Sequence, residues 1–203
     1  MPASRSKSTG GANGGAQLRP AQGVSSMEMG KITLIVGGAR SGKSAHALAL
    51  AREAGGAPRR AVFVATAEPL DDEMRARIAH HRAGRPAEFE TLEEPIDLAR
   101  RVGELECRAT VIVLDCLTLW VSNLIGAGRS DEEILAAADT LADALARASF
   151  ESVIVSSEVG AGIVPDNSLA RRFRDLLGWT NQKIAARADA VLMMVAGLPL
   201  QVK

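Results

Sequence analysis

Gly37-Gly-Ala-Arg-Ser-Gly-Lys-Ser44 is the stretch that decides the fold, and it fits the phosphate-binding pattern G-x-x-x-x-G-K-[ST]. Residues 31–36 before it predict a buried strand, and residues 44–52 after it predict a helix. In this setting the glycines let backbone N–H groups surround an anion, and the helix N-terminus adds its positive dipole end. Lys43 would reach the β- and γ-phosphates and the Ser44 hydroxyl would ligate Mg²⁺. The alternative, a chance match in a glycine-rich turn, does not explain the flanking strand and helix.

The rest of the chain alternates short apolar runs with segments of helical character. Strands are predicted at residues 61–65, 110–115, 152–156 and 190–196, and helices at residues 71–82, 130–148 and 168–188. Ser130 and Glu133 have capping-box spacing at the start of one of these helices. Strands that alternate with helices predict an α/β fold, a P-loop NTPase with a largely parallel sheet covered by helices on both faces.

Composition divides the chain into two parts. Residues 1–30 are rich in Gly, Ala and Ser and lack the apolar core of a secretory signal, so we predict a disordered N-terminal extension. Residues 31–203 carry the periodic apolar pattern and are predicted to form the P-loop domain.

Charge and cysteine content exclude several classes of protein. The chain has 24 basic and 24 acidic residues, which argues against a general nucleic-acid binder. No apolar run reaches transmembrane length. The two cysteines, Cys107 and Cys116, lack CxxC spacing and suit a reducing compartment, so we expect a cytoplasmic protein.

Polar residues follow three of the predicted strands: Thr66, Asp115 and Glu158. Because the carboxyl ends of parallel strands meet at one edge of a sheet, we expect these residues to face the same crevice as the P-loop. Asp115 ends an apolar run, which is the Walker B arrangement of a Mg²⁺-binding carboxylate beside the P-loop. The alternative is that this carboxylate caps a helix beginning at Leu117.

Two adjacent histidines, His80 and His81, lie at the end of a predicted helix. They are either a solvated helix terminus or a source of nucleophilic nitrogen, since a neutral imidazole can attack phosphorus. Adjacent helical positions point about 100° apart, so the pair does not suit one metal ion. Arg82 and Arg85 follow, and they predict either an anion-binding loop or a basic turn.

Several segments in fixed order carry a family resemblance: Gly37 to Ser44, Ala65-Thr-Ala67, Leu70 to Pro86, Asp115 to Asn123, Glu158 to Pro165, Ala170 to Asp175 and Gly178 to Gln182. Together they resemble the bifunctional adenosylcobinamide kinase / adenosylcobinamide-phosphate guanylyltransferase family of cobalamin biosynthesis. The resemblance runs from Ile32 to Lys203, and its ordered segments are far more specific than the P-loop pattern alone.

The resemblance implies two reactions. An NTP phosphorylates the aminopropanol hydroxyl of adenosylcobinamide, with ATP or GTP as the nucleotide. GTP then guanylylates an enzyme histidine, which matches His80, and releases pyrophosphate. The GMP moves to adenosylcobinamide phosphate and gives adenosylcobinamide-GDP. The family further implies a RecA-like P-loop fold, a homotrimer and Mg²⁺ as the cofactor.

The same resemblance implies the site. His80 and Lys43 would be catalytic, and Ser44 and Asp115 would hold Mg²⁺. The nucleotide contacts implied by the family are Gly37, Gly38, Ala39, Arg40, Ser41, Gly42, Lys43, Ser44, Ala65, Thr66, Ala67, Arg82, Ala83, Gly84, Arg85, Glu93 and Asp115. Ser157 departs from the family pattern, which usually has Asn there. A single-activity P-loop kinase of a small metabolite is the alternative, and it shares every feature except the need for His80.

Deleting residues 1–28 should leave both activities and the thermal midpoint nearly unchanged, because this segment has no periodic apolar pattern with which to pack. Thermal unfolding and both assays on the shortened chain test this. A drop of several degrees, or a large loss of either activity, would show that the segment packs on the rest of the protein.

Overall fold

The computed structural model describes residues 30–54 and 60–203, apart from the side chains of Arg77 and His80. In this part of the chain the strands are β1 Ile32–Gly37, β2 Ala61–Ala65, β3 Phe89–Glu93, β4 Val111–Asp115, β5 Glu151–Val155, β6 Ala190–Val195 and β7 Leu198–Gln201. The helices are α1 Lys43–Glu53, α2 Asp72–Ala83, α3 Leu98–Glu104, α4 Leu117–Gly126, α5 Asp131–Arg147 and α6 Ser168–Arg187.

All seven strands belong to one sheet, in the order β3-β2-β4-β5-β1-β6-β7. Strands β1 to β6 are mutually parallel, and β7 pairs antiparallel with β6 at one edge. β1 lies between β5 and β6, so the strand that leads into the P-loop is paired on both sides. The predicted, largely parallel α/β sheet is confirmed.

Alternate residues of the strands enter two separate apolar cores, one on each face of the sheet. The larger core packs Leu34, Ile112 and Ile154 against the buried sides of helices α3 to α6. The smaller core packs strand residues such as Ile35 against Ala47 and Ala51 of α1. The small side chains of α1 let this helix lie close to the sheet, which also brings its N-terminus close to the strand ends. The prediction of helices on both faces is confirmed.

Helix α2 belongs to neither core. Its described side chains are exposed or half-buried, and Asp72 and Glu73 occupy its first turn as the helix dipole favours. The helix connects β2 to β3 at the edge of the sheet opposite β7. The helix that carries His80 therefore contributes no described side chain to either apolar core.

The predicted elements agree with the observed ones to within one or two residues, but three elements were missed, and a fourth, the helix beginning at Leu117, was considered only as an alternative. Strand β3 is a sheet edge with only Phe89 buried, and α3 has only seven residues. Helix α4 is apolar on most sides, which hides helical periodicity, and β7 is fully exposed and contains Pro199. The predicted strand at residues 110–115 is consequently the fourth strand and not the third.

The predicted N-terminal extension, residues 1–30, lies outside the described residues except for Gly30. The Gly30 N–H donates a hydrogen bond to the Ala148 carbonyl oxygen at 2.9 Å, which joins the start of the described chain to the end of α5. Within residues 30–54 and 60–203, every helix is too short or too polar to cross a lipid bilayer.

The predicted capping box at the start of α5 is confirmed. The Glu133 N–H donates to the Ser130 hydroxyl at 3.2 Å, and the Ser130 N–H donates to the Glu133 carboxylate at 2.8 Å. This reciprocal pair gives hydrogen-bond partners to the backbone N–H groups of Ser130 and Glu133, which the start of a helix would otherwise leave without partners. It fixes the start of the helix that contributes Ile134 and Leu141 to the larger core.

Replacing Ser130 with Ala should lower the free energy of unfolding by about 1 kcal/mol, because the cap acceptor is lost. Urea denaturation of the purified protein measures this difference. Ser130→Asp is the matched control, since it keeps an acceptor at the cap and should stay close to the wild type. Equal stability of the Ala and Asp variants would show that the capping box contributes nothing measurable.

Candidate active site

The glycine-rich loop between β1 and α1 depends on close backbone packing. Gly37 has φ 153°, and a Cβ placed there would lie 2.7 Å from the Met194 carbonyl oxygen of β6. Gly42 has φ 92° and is the N-cap residue of α1. Both conformations favour glycine, so the two glycines of the pattern that begin and end the turn are required by geometry.

The Lys43 ammonium lies over this loop. Its Nζ donates to the Gly37 carbonyl oxygen at 2.9 Å and to the Gly38 carbonyl oxygen at 2.6 Å. Lys43 is also the first residue of α1, whose first turn contains no acidic side chain and whose N-cap makes no side-chain hydrogen bond. The ammonium and the uncapped N–H groups together give the positive potential that phosphate oxygens require.

The remaining residues of the loop surround this positive charge. Gly38, Ala39 and Arg40 are exposed, while Ser41 is buried with its hydroxyl oxygen unpartnered in the described structure. The Ser41 carbonyl accepts the Gly197 N–H at 3.1 Å, which ties the loop to the turn between β6 and β7. The loop is therefore exposed on its outer side, and its inner side is held by the hydrogen bond to the turn between β6 and β7.

The strand ends lie along one edge of the sheet, as expected, but they form a row and not one cluster. In register, Ala65 faces Glu93 on β3 and Asp115 on β4, and Asp115 faces Val155 on β5. Strand β5 separates β4 from β1, so Asp115 is not on the strand next to the P-loop. β4 and β1 are separated by two interstrand spacings, roughly 10 Å, and β3 and β1 by four, roughly 19 Å.

Thr66 joins the ends of β2 and β4. Its hydroxyl donates to the Cys116 carbonyl at 2.7 Å and accepts the Cys116 N–H at 2.8 Å, and its own N–H donates to the Asp115 carbonyl at 3.1 Å. The side chain is fully buried by these contacts, whereas Ala67 beside it is half-buried. Thr66 thus fixes the backbone from which the Asp115 carboxylate projects, and α4 begins with Cys116 as its N-cap, not with Asp115.

Apart from the P-loop, a second group of candidate residues lies at β3, beyond the end of α2. It is formed by Arg82, Arg85 and Glu93 and is called the second cluster below. Arg82 forms an ion pair with Glu93, and the Arg85 guanidinium lies 3.9 Å from the centre of the Phe63 ring. Burial lowers the pKa of Arg85, and the carboxylate of Asp115 partly offsets this effect. A cavity of about 570 Å³ opens here, bounded in part by Arg82, Arg85 and Glu93, while Ala83 and Gly84 between the arginines are exposed.

The Arg85 Nε is buried and has no hydrogen-bond partner in the described structure. A guanidinium stacked on an aromatic ring with an unused donor is suited to receive an anion or a carbonyl oxygen. His80 lies in α2, two residues before Arg82, so the backbone brings the candidate nucleophile to this second cluster. His81, the other histidine of the pair, is exposed.

Sequence reasoning missed a buried polar network behind the strand ends. Asn123 donates to the carbonyl oxygens of Thr66 at 2.8 Å and Pro95 at 3.1 Å. Asn181 accepts the Ser156 hydroxyl at 2.6 Å and donates to the Ser157 carbonyl at 3.1 Å. Asn123 stands on the apolar helix α4, where its isolated polarity was the available signal, whereas Asn181 lies in the largely polar helix α6 and carried no such signal. Ser157 contributes its backbone N–H and carbonyl oxygen to this network.

A largely parallel α/β sheet with a glycine-rich loop at the end of an inner strand, and a lysine held on the carbonyls of that loop, defines a P-loop nucleotide-binding protein. The family model for cobinamide kinase / cobinamide phosphate guanyltransferase matches residues 33–202. The chain belongs to this family and is therefore a transferase.

Two curated relatives support this assignment over most of their length. The bifunctional adenosylcobalamin biosynthesis protein CobP of Pseudomonas aeruginosa is 43% identical over 173 residues, covering 84% of this chain and 96% of that protein. The corresponding CobU protein of Salmonella typhimurium is 43% identical over 182 residues, covering 84% of this chain and 98% of that protein.

A solved structure of a KaiC-like protein from Pyrococcus horikoshii matches with a TM-score of 0.48 and 16% identity, covering 81% of this chain and 71% of that chain. A likeness this low adds nothing to the fold assignment, which follows from the strand order and the P-loop geometry described above.

The two cysteines should differ sharply in reactivity. Burial raises the pKa of the Cys116 thiol from 9.0 to about 11, and the charge of Asp115 adds to this shift, whereas Cys107 is exposed. A pKa raised by two units lowers the thiolate fraction at pH 8 about 100-fold, so iodoacetamide should label Cys107 while Cys116 stays unmodified. Peptide mass spectrometry of the native protein reads out both sites, and denatured protein, in which both should react, is the control. Rapid labelling of native Cys116 would contradict the enclosed position of its thiol.

Proposed function

We propose that this protein phosphorylates adenosylcobinamide with an NTP and then transfers GMP from GTP, through a guanylyl-histidine, to adenosylcobinamide phosphate. The products are adenosylcobinamide-GDP and pyrophosphate. The observation that carries this proposal is the family match over residues 33–202. Two relatives named as bifunctional also match this chain over nearly their whole length. A single-activity kinase is not favoured, because those relatives are bifunctional.

The nucleotide phosphates would bind at the loop from Gly37 to Ser44. Supporting this, the Lys43 ammonium and the uncapped start of α1 point to the same place and both attract anions. Lys43 would neutralise the charge that develops on the departing phosphate oxygens, which is the main catalytic task in phosphoryl transfer. GTP serves the transferase step, and either ATP or GTP serves the kinase step.

The second cluster would contact the rest of the nucleotide. The residues concerned are Ala65, Thr66, Ala67, Arg82, Ala83, Gly84, Arg85 and Glu93. The unused Nε of Arg85 and the adjoining cavity support a ligand here. Because the Thr66 side chain is fully used by the Cys116 backbone, Thr66 would act mainly through the position of its neighbours.

Mg²⁺ fits the residues present at the site. Ser44 and Asp115 offer a hydroxyl and a carboxylate, the oxygen donors that Mg²⁺ prefers, and no set of three or more His, Cys, Asp or Glu side chains within the described ranges forms a metal cage. Mg²⁺ in nucleotide sites takes most of its ligands from phosphates and water, so two protein oxygens are sufficient. When bound, the ion would neutralise phosphate charge.

His80 would be the nucleophile of the transferase step. Its position in α2, beside the arginines of the second cluster, supports this role, because Arg82 and Arg85 can attract the anionic nucleotide that the histidine attacks. Attack on the α-phosphorus of GTP requires the neutral imidazole, whose ring nitrogen carries the lone pair that forms the new bond.

We infer a cytoplasmic homotrimer, as the family resemblance implies. The outer edge of β7 supports self-association of some kind, because Leu198, Leu200 and Val202 are all more than half exposed there. Exposed apolar side chains on a sheet edge are a surface that soluble proteins usually cover.

Replacing His80 with Asn should separate the two reactions. The variant should still convert adenosylcobinamide to its phosphate, because kinase transfer needs no protein nucleophile, and should fail to form adenosylcobinamide-GDP. Incubation with α-labelled GTP should label the wild type and not this variant. The adduct should be labile to acid and stable to alkali, as a phosphoramidate is.

His81→Asn is the matched control, since it removes an imidazole one position away and should keep the label. Label that stays on the His80 variant would move the nucleophile elsewhere. Loss of both reactions in a folded His80 variant would show that this histidine also shapes the kinase site.

A further inference from the structure

We propose that Glu158 is a further catalytic residue of the kinase step, the base that accepts the proton of the substrate hydroxyl. This inference rests on the proposed function, because that function supplies the NTP and the hydroxyl acceptor. A hydroxyl that attacks phosphorus must lose its proton, and none of the roles proposed above supplies an acceptor for it.

The backbone places Glu158 directly beside the P-loop. The Glu158 N–H donates to the Gly37 carbonyl oxygen at 3.1 Å, and the same oxygen accepts the Lys43 ammonium at 2.9 Å. Glu158 follows β5, which is the strand between the P-loop strand and the Asp115 strand. It therefore stands between the two groups that would hold the phosphates and the metal ion.

The turn that carries Glu158 is fixed from both sides. Asn181 of α6 binds the Ser156 hydroxyl and the Ser157 carbonyl, and the Ser157 N–H donates to the Thr118 hydroxyl of α4 at 2.9 Å. Ser156 is fully buried. A catalytic group has to be held by rigid neighbours, and this network supplies them.

The Glu158 carboxylate is available to take a proton. It is exposed, it accepts the Gly160 N–H at 2.6 Å, and it forms no ion pair with any residue in the described ranges. By contrast, Glu93 is paired with Arg82, and the buried Glu94 is paired with arginines of α3.

In the proposed kinase step one bond to phosphorus forms and one breaks. The substrate hydroxyl oxygen forms a bond to the terminal phosphorus, and the bond from that phosphorus to the bridging oxygen of the NTP breaks, which releases NDP. The hydroxyl proton moves to a Glu158 carboxylate oxygen and then to water. Attack by a neutral histidine on the α-phosphorus involves no hydroxyl proton, so the first half of guanylyl transfer would not need Glu158.

Glu158→Gln tests the assignment, because the amide keeps an oxygen for the Gly160 N–H and removes the base. The kcat for phosphorylation of cobinamide should fall about 100-fold or more, with the KM for the nucleotide within about twofold of the wild type. Labelling of the enzyme by α-labelled GTP should match the wild type. Glu158→Asp should recover part of kcat, and Glu151→Gln, at the opposite end of the same strand, is the matched control.

Wild-type kinase turnover in Glu158→Gln would overturn the proposal. Equal loss of kinase activity and enzyme labelling, with a raised Mg²⁺ requirement, would overturn it in favour of a metal ligand. If Glu158→Gln unfolds, the Asp variant decides: a folded Asp variant whose kinase rate does not exceed the background rate also overturns the proposal. A wild-type protein that makes no cobinamide phosphate would instead refute the proposed function itself.

Discussion

The Gly37 backbone lies so close to the Met194 carbonyl oxygen that no side chain fits between them, and the phosphate site depends on this contact. The carbonyl oxygen of the same Gly37 accepts both the Lys43 ammonium and the Glu158 N–H. One peptide group thereby joins the loop, the first helix and the turn after β5. Any side chain at position 37 would have to displace β6 or the loop, and either movement would shift all three groups together.

The strand order determines how the site is distributed. With β5 between β1 and β4, and β2 and β3 beyond them, the candidate residues extend along the sheet edge for roughly 19 Å. A row of this length suits a large substrate and a nucleotide better than one small metabolite. It also places the residues proposed for the two reactions at different positions along the edge. Lys43 and Glu158, proposed for the kinase step, lie at the P-loop, and the Arg82–Glu93 pair, near the histidine proposed for guanylyl transfer, lies beside α2.

The sequence predicted the elements that have strong local signals, and it failed where tertiary context decides. The P-loop, the Asp115 strand and the Ser130 capping box each carry a pattern within a few residues, and each was found. The order of strands depends on long-range pairing, so the position of β5 next to the P-loop strand was not predictable from spacing. The roles of Asn123 and Asn181 were missed for the same reason, because their partners lie 24 or more residues away in sequence.

The pairing of β1 with β6 has a consequence for co-translational folding. The Ile32 N–H donates to the Asp189 carboxylate, and the Asp189 N–H donates to the Ile32 carbonyl, each at 2.8 Å across 157 residues of sequence. The phosphate loop at residues 37–44 is synthesised before Met194, whose carbonyl oxygen packs against Gly37. Contacts so distant in sequence form late and slowly. A nascent chain halted before β6 therefore carries the complete loop sequence but lacks the Met194 contact that packs against Gly37.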